Sequence, residues 1–238
     1  MELLLLSLLT LIASCIGTIT GFGLSTIMIP ILILFLPPVE AIFLVAIVHW
    51  FGDLWKVLLF REGRSSRLIL LFGGIGIIVG FLGTRLSLDI PLDPMLRLLG
   101  GFLLLYAVFL FWMPHFKVPA TTSSALVGGG ISWFCAGVFG IGGPVRALFL
   151  TAFDLPKSVY IATAGAIGVL VDSVRIITYA MDGVTLTELH RRSLLLLIPT
   201  SFAGARFAKR MVNNIPQQTF RLIVVTFLGI IGVKLLFF

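Results

Sequence analysis

Residues 3–39 carry no charged side chain, an uninterrupted run of 37 positions. Similar charge-free runs cover residues 68–84, 98–114 and 118–145. A helix needs about 20 mostly apolar residues to cross the hydrocarbon core of a bilayer. Soluble folds keep charge throughout, at about 25% of positions, whereas this 238-residue chain has 11% charged and 59% hydrophobic residues. The pattern predicts an all-α integral membrane protein with roughly eight spanning-length segments joined by short loops. No length remains beside them for a soluble domain, so the lipid bilayer is the first partner the chain requires.

The net charge of +7 and pI near 10.0 would suggest nucleic acid in a soluble protein. Here the basic residues cluster in short loops, where they set topology, and no nucleic acid is expected. Three histidines and two cysteines, Cys15 and Cys135, are too sparse and scattered to predict a metal cage or disulfide framework. The leader MELLLLSLLTLIASC has Glu2 where a signal peptide carries a base, and its apolar run continues beyond Cys15. It reads as a first membrane helix. The chain has no metalloprotease HExxH, nucleophile elbow, phosphate-binding loop or paired-cysteine motif, so neither an enzyme nor a cofactor is expected.

Displacing the chain on itself by 119 residues reveals a repeat. Gly21-Phe22-Gly23 falls on Gly140-Ile141-Gly142, Pro37 on Pro156, Asp53 on Asp172 and Lys56 on Arg175. With slight slippage Gly83-Thr84-Arg85 meets Gly204-Ala205-Arg206, and Arg97 meets Arg221. Two repeats, 1–116 and 117–238, together make one transmembrane domain. Each has an apolar segment broken by glycines (3–36; 120–153) and a span with an acid and a base (39–60; 158–180). A third segment ends in Gly-x-Arg (68–88; 190–209), and a fourth closes the half (95–113; 217–237). If each broken segment dips in and returns as a hairpin, each half crosses the membrane an odd number of times. The halves are then inverted, the basic loops at Arg61, Arg64, Arg67 and at Arg206, Lys209, Arg210 face the cytoplasm with the His115–Lys117 junction, and both termini face outward. If the broken segments cross directly, the halves are parallel.

The second break lies in GVFGIGGPVRALFL, residues 137–150. Irregular backbone persists at membrane depth only where protein or a water-filled cavity shields it. Breaks at matching positions of two halves point to a transporter's binding site. The backbone of Gly21, Phe22, Gly23, Gly140, Ile141, Gly142, Gly143 and Pro144 is therefore the candidate seat, with Pro144 in the first turn of a new helix. Free amides at such a helix start attract anions, and Arg146, two residues on, needs an anion to offset its charge or must snorkel to a headgroup. Gly73-Gly74, Gly100-Gly101 and Gly128-Gly129-Gly130 read instead as close helix packing. Asp53 with Lys56, and Asp172 with Arg175, share a helix face at i,i+3. As ionisable residues at depth they are functional candidates, and the alternative is that each pair simply neutralises itself. Lys56 and Arg175 would draw an anion in. Asp53, Asp172 and His49, one turn before Asp53, would handle a coupling proton. Arg85 and Arg206 sit near helix ends and read as snorkelling residues.

Together the two glycine breaks, GIGGPVRALFL followed by Leu155-Pro156-Lys157, the Asp172–Arg175 element ahead of Tyr179, and the Gly-x-Arg ends at Gly83 and Gly204 resemble the TauE/SafE family of sulfite-exporter-like anion permeases. The resemblance covers essentially the whole chain. It departs from the family in the incomplete glycine run at Gly21-Phe22-Gly23-Leu24-Ser25 and in the aspartates at 53 and 172, where the family often has asparagine. The resemblance implies a secondary transporter in the cell membrane for small sulfur-containing or organic anions, such as sulfite, sulfonates or sulfoacetate, coupled to a proton or cation. A homo-oligomer is left open. The competing readings are a passive anion channel and a membrane scaffold without transport.

Overall fold

The computed structural model describes residues 2–113, 116, 118–211, 225–226, 229–230 and 232–237. The His115–Lys117 junction apart from residue 116, Arg221 and most of segment 217–237 lie outside the described residues. Among those described, every regular element is helical: α1 (Glu2–Thr20), α2 (Leu24–Leu32), α3 (Pro38–Leu59), α4 (Ser66–Asp89), α5 (Leu92–Trp112), α6 (Thr122–Phe139), α7 (Gly143–Leu150), α8 (Lys157–Met181) and α9 (Glu188–Met211). Six of these, α1, α3, α4, α5, α6 and α8, are long and apolar enough to cross a membrane. The expected spans match these boundaries within a few residues, because prolines and short polar turns punctuate the runs. Pro37 and Pro156 immediately precede α3 and α8, where a missing amide costs nothing.

Both expected breaks occur. Helix α1 stops at Gly21, whose φ of 78° lies in the left-handed region, and α6 stops at Gly140 with a φ of 72°, a conformation open to glycine at little cost. After each break the chain turns back along the helix it has left. The Thr10 hydroxyl of α1 donates to the Met28 sulfur of α2 at 3.8 Å, and a Cβ on Gly17 would lie 2.7 Å from the Leu24 nitrogen. In the second half the Ser132 hydroxyl of α6 donates to the Gly142 carbonyl at 3.1 Å, while Gly128 faces the Phe149 side chain of α7. Pairing of 10 with 28, and of 128 with 149, describes two antiparallel helical hairpins. The hairpin form of the broken segments is thus the one adopted.

The hairpins are exchanged between the halves. Helix α4 packs along α6, and α9 packs along α1. Gly83 of α4 lies so close to α6 that a Cβ there would be 3.0 Å from the Phe134 carbonyl oxygen, and Gly204 of α9 would meet the Leu11 carbonyl of α1 at 2.7 Å. The glycines of the two Gly-x-Arg ends are therefore contact points for the other half's broken hairpin. Their arginines, Arg85 and Arg206, are exposed, as their helix-end positions predict, and Arg85 also pairs with Asp182. Of the glycines read as packing sites, Gly100, Gly128 and Gly129 act as such, while Gly74 has nothing within 4 Å. A Cβ on Gly129 would come 2.7 Å from the Phe72 backbone, and one on Gly100 would come 2.7 Å from the Leu236 nitrogen. Without a hydrophobic drive between helices in lipid, such close backbone approach supplies much of the association. Helices α3 and α8 face each other at the centre, joined by a bond from the Trp50 indole to Ser173 at 2.9 Å. The site sits between them.

Candidate anion-binding site

Six ionisable side chains from three helices meet inside this bundle: His49, Asp53 and Lys56 of α3, Arg146 of α7, and Asp172 and Arg175 of α8. His49 is 5% exposed and the other five at most 2%. At that depth each must find a partner or carry a cost of several kcal/mol. The i,i+3 pairs predicted from spacing form, with Lys56 Nζ 2.6 Å from Asp53 Oδ1 and Arg175 Nη2 2.5 Å from Asp172 Oδ1. They do not stand alone. His49 bridges the two helices, its Nδ1 lying 2.5 Å from Asp172 Oδ2 and 3.6 Å from Asp53 Oδ2. Two ion pairs from opposite halves thereby become one network.

Glycines on α8 make this convergence possible. A Cβ on Gly168 would run into the Asp53 carboxylate, and one on Gly165 would lie 2.9 Å from the Asp53 carbonyl oxygen and 3.0 Å from Lys56 Cβ. The second break feeds into the same place. Arg175 Nη1 donates to the Ala136 carbonyl at 3.1 Å, and a Cβ on Gly140 would sit 3.0 Å from that nitrogen. Arg146, in the first turn of α7, is the least satisfied member. Its nearest carboxylate is Asp53, with Nη2 at 3.9 Å from Oδ2, and its buried Nε and Nη2 have no hydrogen-bond partner. Arg146 does not snorkel to a surface. Lys56, Arg146 and Arg175 set three basic side chains against two carboxylates, so with these five ionised and His49 neutral the buried cluster carries a surplus of one positive charge.

The first break reaches the site by contact with the second and with α8, not by touching the charges. A Cβ on Gly143 would meet Phe22 Cβ at 2.8 Å. Gly21 lies against the Tyr160 ring, whose hydroxyl donates to the Thr20 carbonyl at 3.2 Å. Gly21, Gly23, Gly140, Ile141, Gly142, Gly143 and Pro144 are all buried, with Phe22 partly so. Sequence reasoning overlooked Tyr160, Ser132, Gly165, Gly168 and Tyr106, whose hydroxyl donates to the Pro144 carbonyl at 3.3 Å. The small residues Gly165 and Gly168, spaced i,i+3 just ahead of Asp172, were the available signal; the tyrosines carry none. Sparse histidines do not prevent a cluster, since His49, Asp53 and Asp172 offer donor atoms within 4.8 Å of one another. Such a triad could ligate a cation, but Lys56, Arg146 and Arg175 surround it, and three fixed positive charges oppose a fourth.

A cleft of about 500 Å³ opens at the end of α3, bordered by Val57, Phe60, Arg61, Arg64 and Ala162. Lys209 donates to the Leu59 carbonyl there at 2.6 Å. The basic loops therefore gather at the helix that carries Lys56, where their field attracts anions.

The family model described as "Sulfite exporter TauE/SafE" matches residues 6–235. The chain belongs to the TauE/SafE family. The resemblance read from its breaks and arginines is borne out over nearly its whole length. TauE/SafE membership and six spanning-length helices make this a multi-pass membrane protein of a transporter family whose cargo is anionic. Comparison with curated proteins and with solved structures gave no match.

Proposed function

We propose that this TauE/SafE protein is a secondary transporter that seats a small sulfur-containing or organic anion, of the sulfite, sulfonate or sulfoacetate type, at the α3–α7–α8 cluster. The observation that carries the reading is the surplus positive charge of that cluster together with the unpartnered guanidinium nitrogens of Arg146. A desolvated arginine without a partner is among the costliest groups a membrane interior can hold. An oxyanion beside it satisfies both the charge and the free donors, since guanidinium binds such groups in forked geometry. The amide-rich starts of α2 and α7 add partial positive charge. Lys56 and Arg175 support the seat from the far side of the two carboxylates, and His49, Asp53 and Asp172 supply the proton coupling.

In this reading the two halves are inverted repeats, and alternating access rocks the exchanged hairpins about the α3–α8 core. The cell membrane is the site of action. The experiment is reconstitution in liposomes with a panel of sulfite, thiosulfate, sulfonates, sulfate and short carboxylates, read as electrogenic current. Uptake driven by an imposed pH gradient for at least the divalent anions of the panel, and lost in Arg146→Ala and Arg175→Ala, is the expected result. Flux of every anion down its own gradient alone, indifferent to pH, would make the protein a channel. Unaltered flux in both variants would remove the cluster from transport.

A further inference from the structure

The anion seat just proposed contains one imidazole, His49, and its surroundings define a rule. The two carboxylates are each held by basic side chains: Asp53 by Lys56 at 2.6 Å and Arg146 at 3.9 Å, Asp172 by Arg175 at 2.5 Å. Between them stands His49. Its Nδ1 faces Asp172 Oδ2 at 2.5 Å, and an ionised carboxylate only accepts, so Nδ1 carries a proton in either charge state. Nε2 is the position left to gain or lose one, and it is buried with no protein partner.

Two phenols of α8 border this space: Tyr160, whose hydroxyl donates to the Thr20 carbonyl at 3.2 Å, and Tyr179, whose hydroxyl lies 3.0 Å from that of Ser87 and whose ring packs on Phe43 of α3. Of the other helices packed on α3, α2 has no titratable residue, α1 brings only Cys15 and α5 only the phenol of Tyr106 within the membrane. Helix α9 brings its ionisable groups at its ends, where His190 meets Glu40 and Lys209 meets the Leu59 carbonyl.

With neutral His49 the cluster has a surplus of one positive charge, and with protonated His49 a surplus of two. A buried site is stable when the occupant cancels the surplus, because net charge in a low-dielectric interior costs several kcal/mol. We propose that His49 matches the valence of the cargo: the cluster accepts a monoanion while His49 is neutral, and a dianion only together with a proton on His49 Nε2. The inference rests on the anion seat described above. The proton comes from the solution that supplies the dianion and leaves with it on the other side. Every cycle then moves one net negative charge, whatever the valence of the anion. An oxyanion such as sulfite, which exists in both forms near neutrality, is admitted in either.

The test uses the full chain in liposomes with two probes of fixed valence near neutral pH, methanesulfonate and thiosulfate. A lumenal pH dye and the reversal potential count protons and charge per anion. The expected result is one proton for each thiosulfate, none for methanesulfonate, and one net negative charge for both. In His49→Gln the ratio of thiosulfate to methanesulfonate flux falls by about tenfold or more, since the extra charge stays uncompensated. Thiosulfate carrying two net charges without a proton overturns the proposal, as does an unchanged ratio in the variant. The wild-type counts decide the matter even if the variant does not fold. Transport of neither probe by the wild type overturns the anion seat itself; transport of both with a proton accompanying each overturns only the valence rule.

Discussion

The α1–α2 and α6–α7 hairpins share a construction: a long helix, a left-handed glycine, an irregular step and a short returning helix. Their chemistry differs. On the 119-residue displacement the second hairpin has Pro144, Val145 and Arg146 where the first has Ser25, Thr26 and Ile27. The first thus brings hydroxyls to its returning helix, and the buried Thr26 hydroxyl has no partner. The second brings a buried guanidinium. Their surroundings differ too, since Gly21 abuts the movable ring of Tyr160 while Gly140 abuts Ile29, Ile42 and Arg175. Duplicated backbone therefore supplies two shielded breaks, and one side chain makes one of them the charged wall. The other is a neutral wall touching it through Phe22 and Gly143.

The sharpest way to break this comparison is to remove the charge that distinguishes the hairpins. Arg146→Gln should reduce anion flux by about a hundredfold, the loss of about 3 kcal/mol from a buried charge interaction, while Ile27→Gln at the matching position stays near wild type. Equal losses in radiolabelled uptake would mean that the hairpins contribute alike. Next is the α3–α8 contact that both hairpins flank. Gly168→Ala drives a methyl into the Asp53 carboxylate and should lower stability by about 2–3 kcal/mol, seen as a reduced melting temperature in detergent. Gly74→Ala, with nothing within 4 Å of its Cβ, serves as the silent control.

A smaller effect separates the two turns. Both Gly21→Ala and Gly140→Ala pay about 1–2 kcal/mol for left-handed backbone. Gly140→Ala should cost more and also impair uptake, because its neighbours are packed side chains and Arg175 rather than one tyrosine ring. Thermal melts and flux on both variants check the ordering. The mildest change, Ser132→Ala, removes the bond that ties α6 to the Gly142 carbonyl and should cost about 1 kcal/mol. It should loosen the second hairpin as measured by hydrogen exchange across α7 and leave the first hairpin's exchange untouched.

Most members of the buried cluster were legible in advance, though not their connections. Arg146, Lys56, Arg175, Asp53 and Asp172 stood out because a charge inside a long apolar run is costly wherever the chain places it. The breaks stood out because glycine and proline interrupt helices by local sterics. His49 was named beside Asp53, but one imidazole on one helix says nothing of its partner, Asp172, which is 123 positions away. Tyr160 and Tyr106 look like ordinary apolar-face aromatics until their hydroxyls are seen on the Thr20 and Pro144 carbonyls. Gly165 and Gly168 read as generic small residues until Asp53 is found pressed against them.

The sequence by itself determined that this chain enters a membrane, where its helices start and stop, and which charges are buried. Those properties follow from hydropathy and backbone sterics, which act within a few residues of one another. Tertiary structure alone decided that the broken segments turn back as hairpins, that they lie on α9 and α4 respectively, and that two ion pairs fuse through a histidine. Such outcomes depend on how closely backbones approach in lipid. That is set by which glycine faces which neighbour across the bundle, and the order of residues along the chain does not specify it.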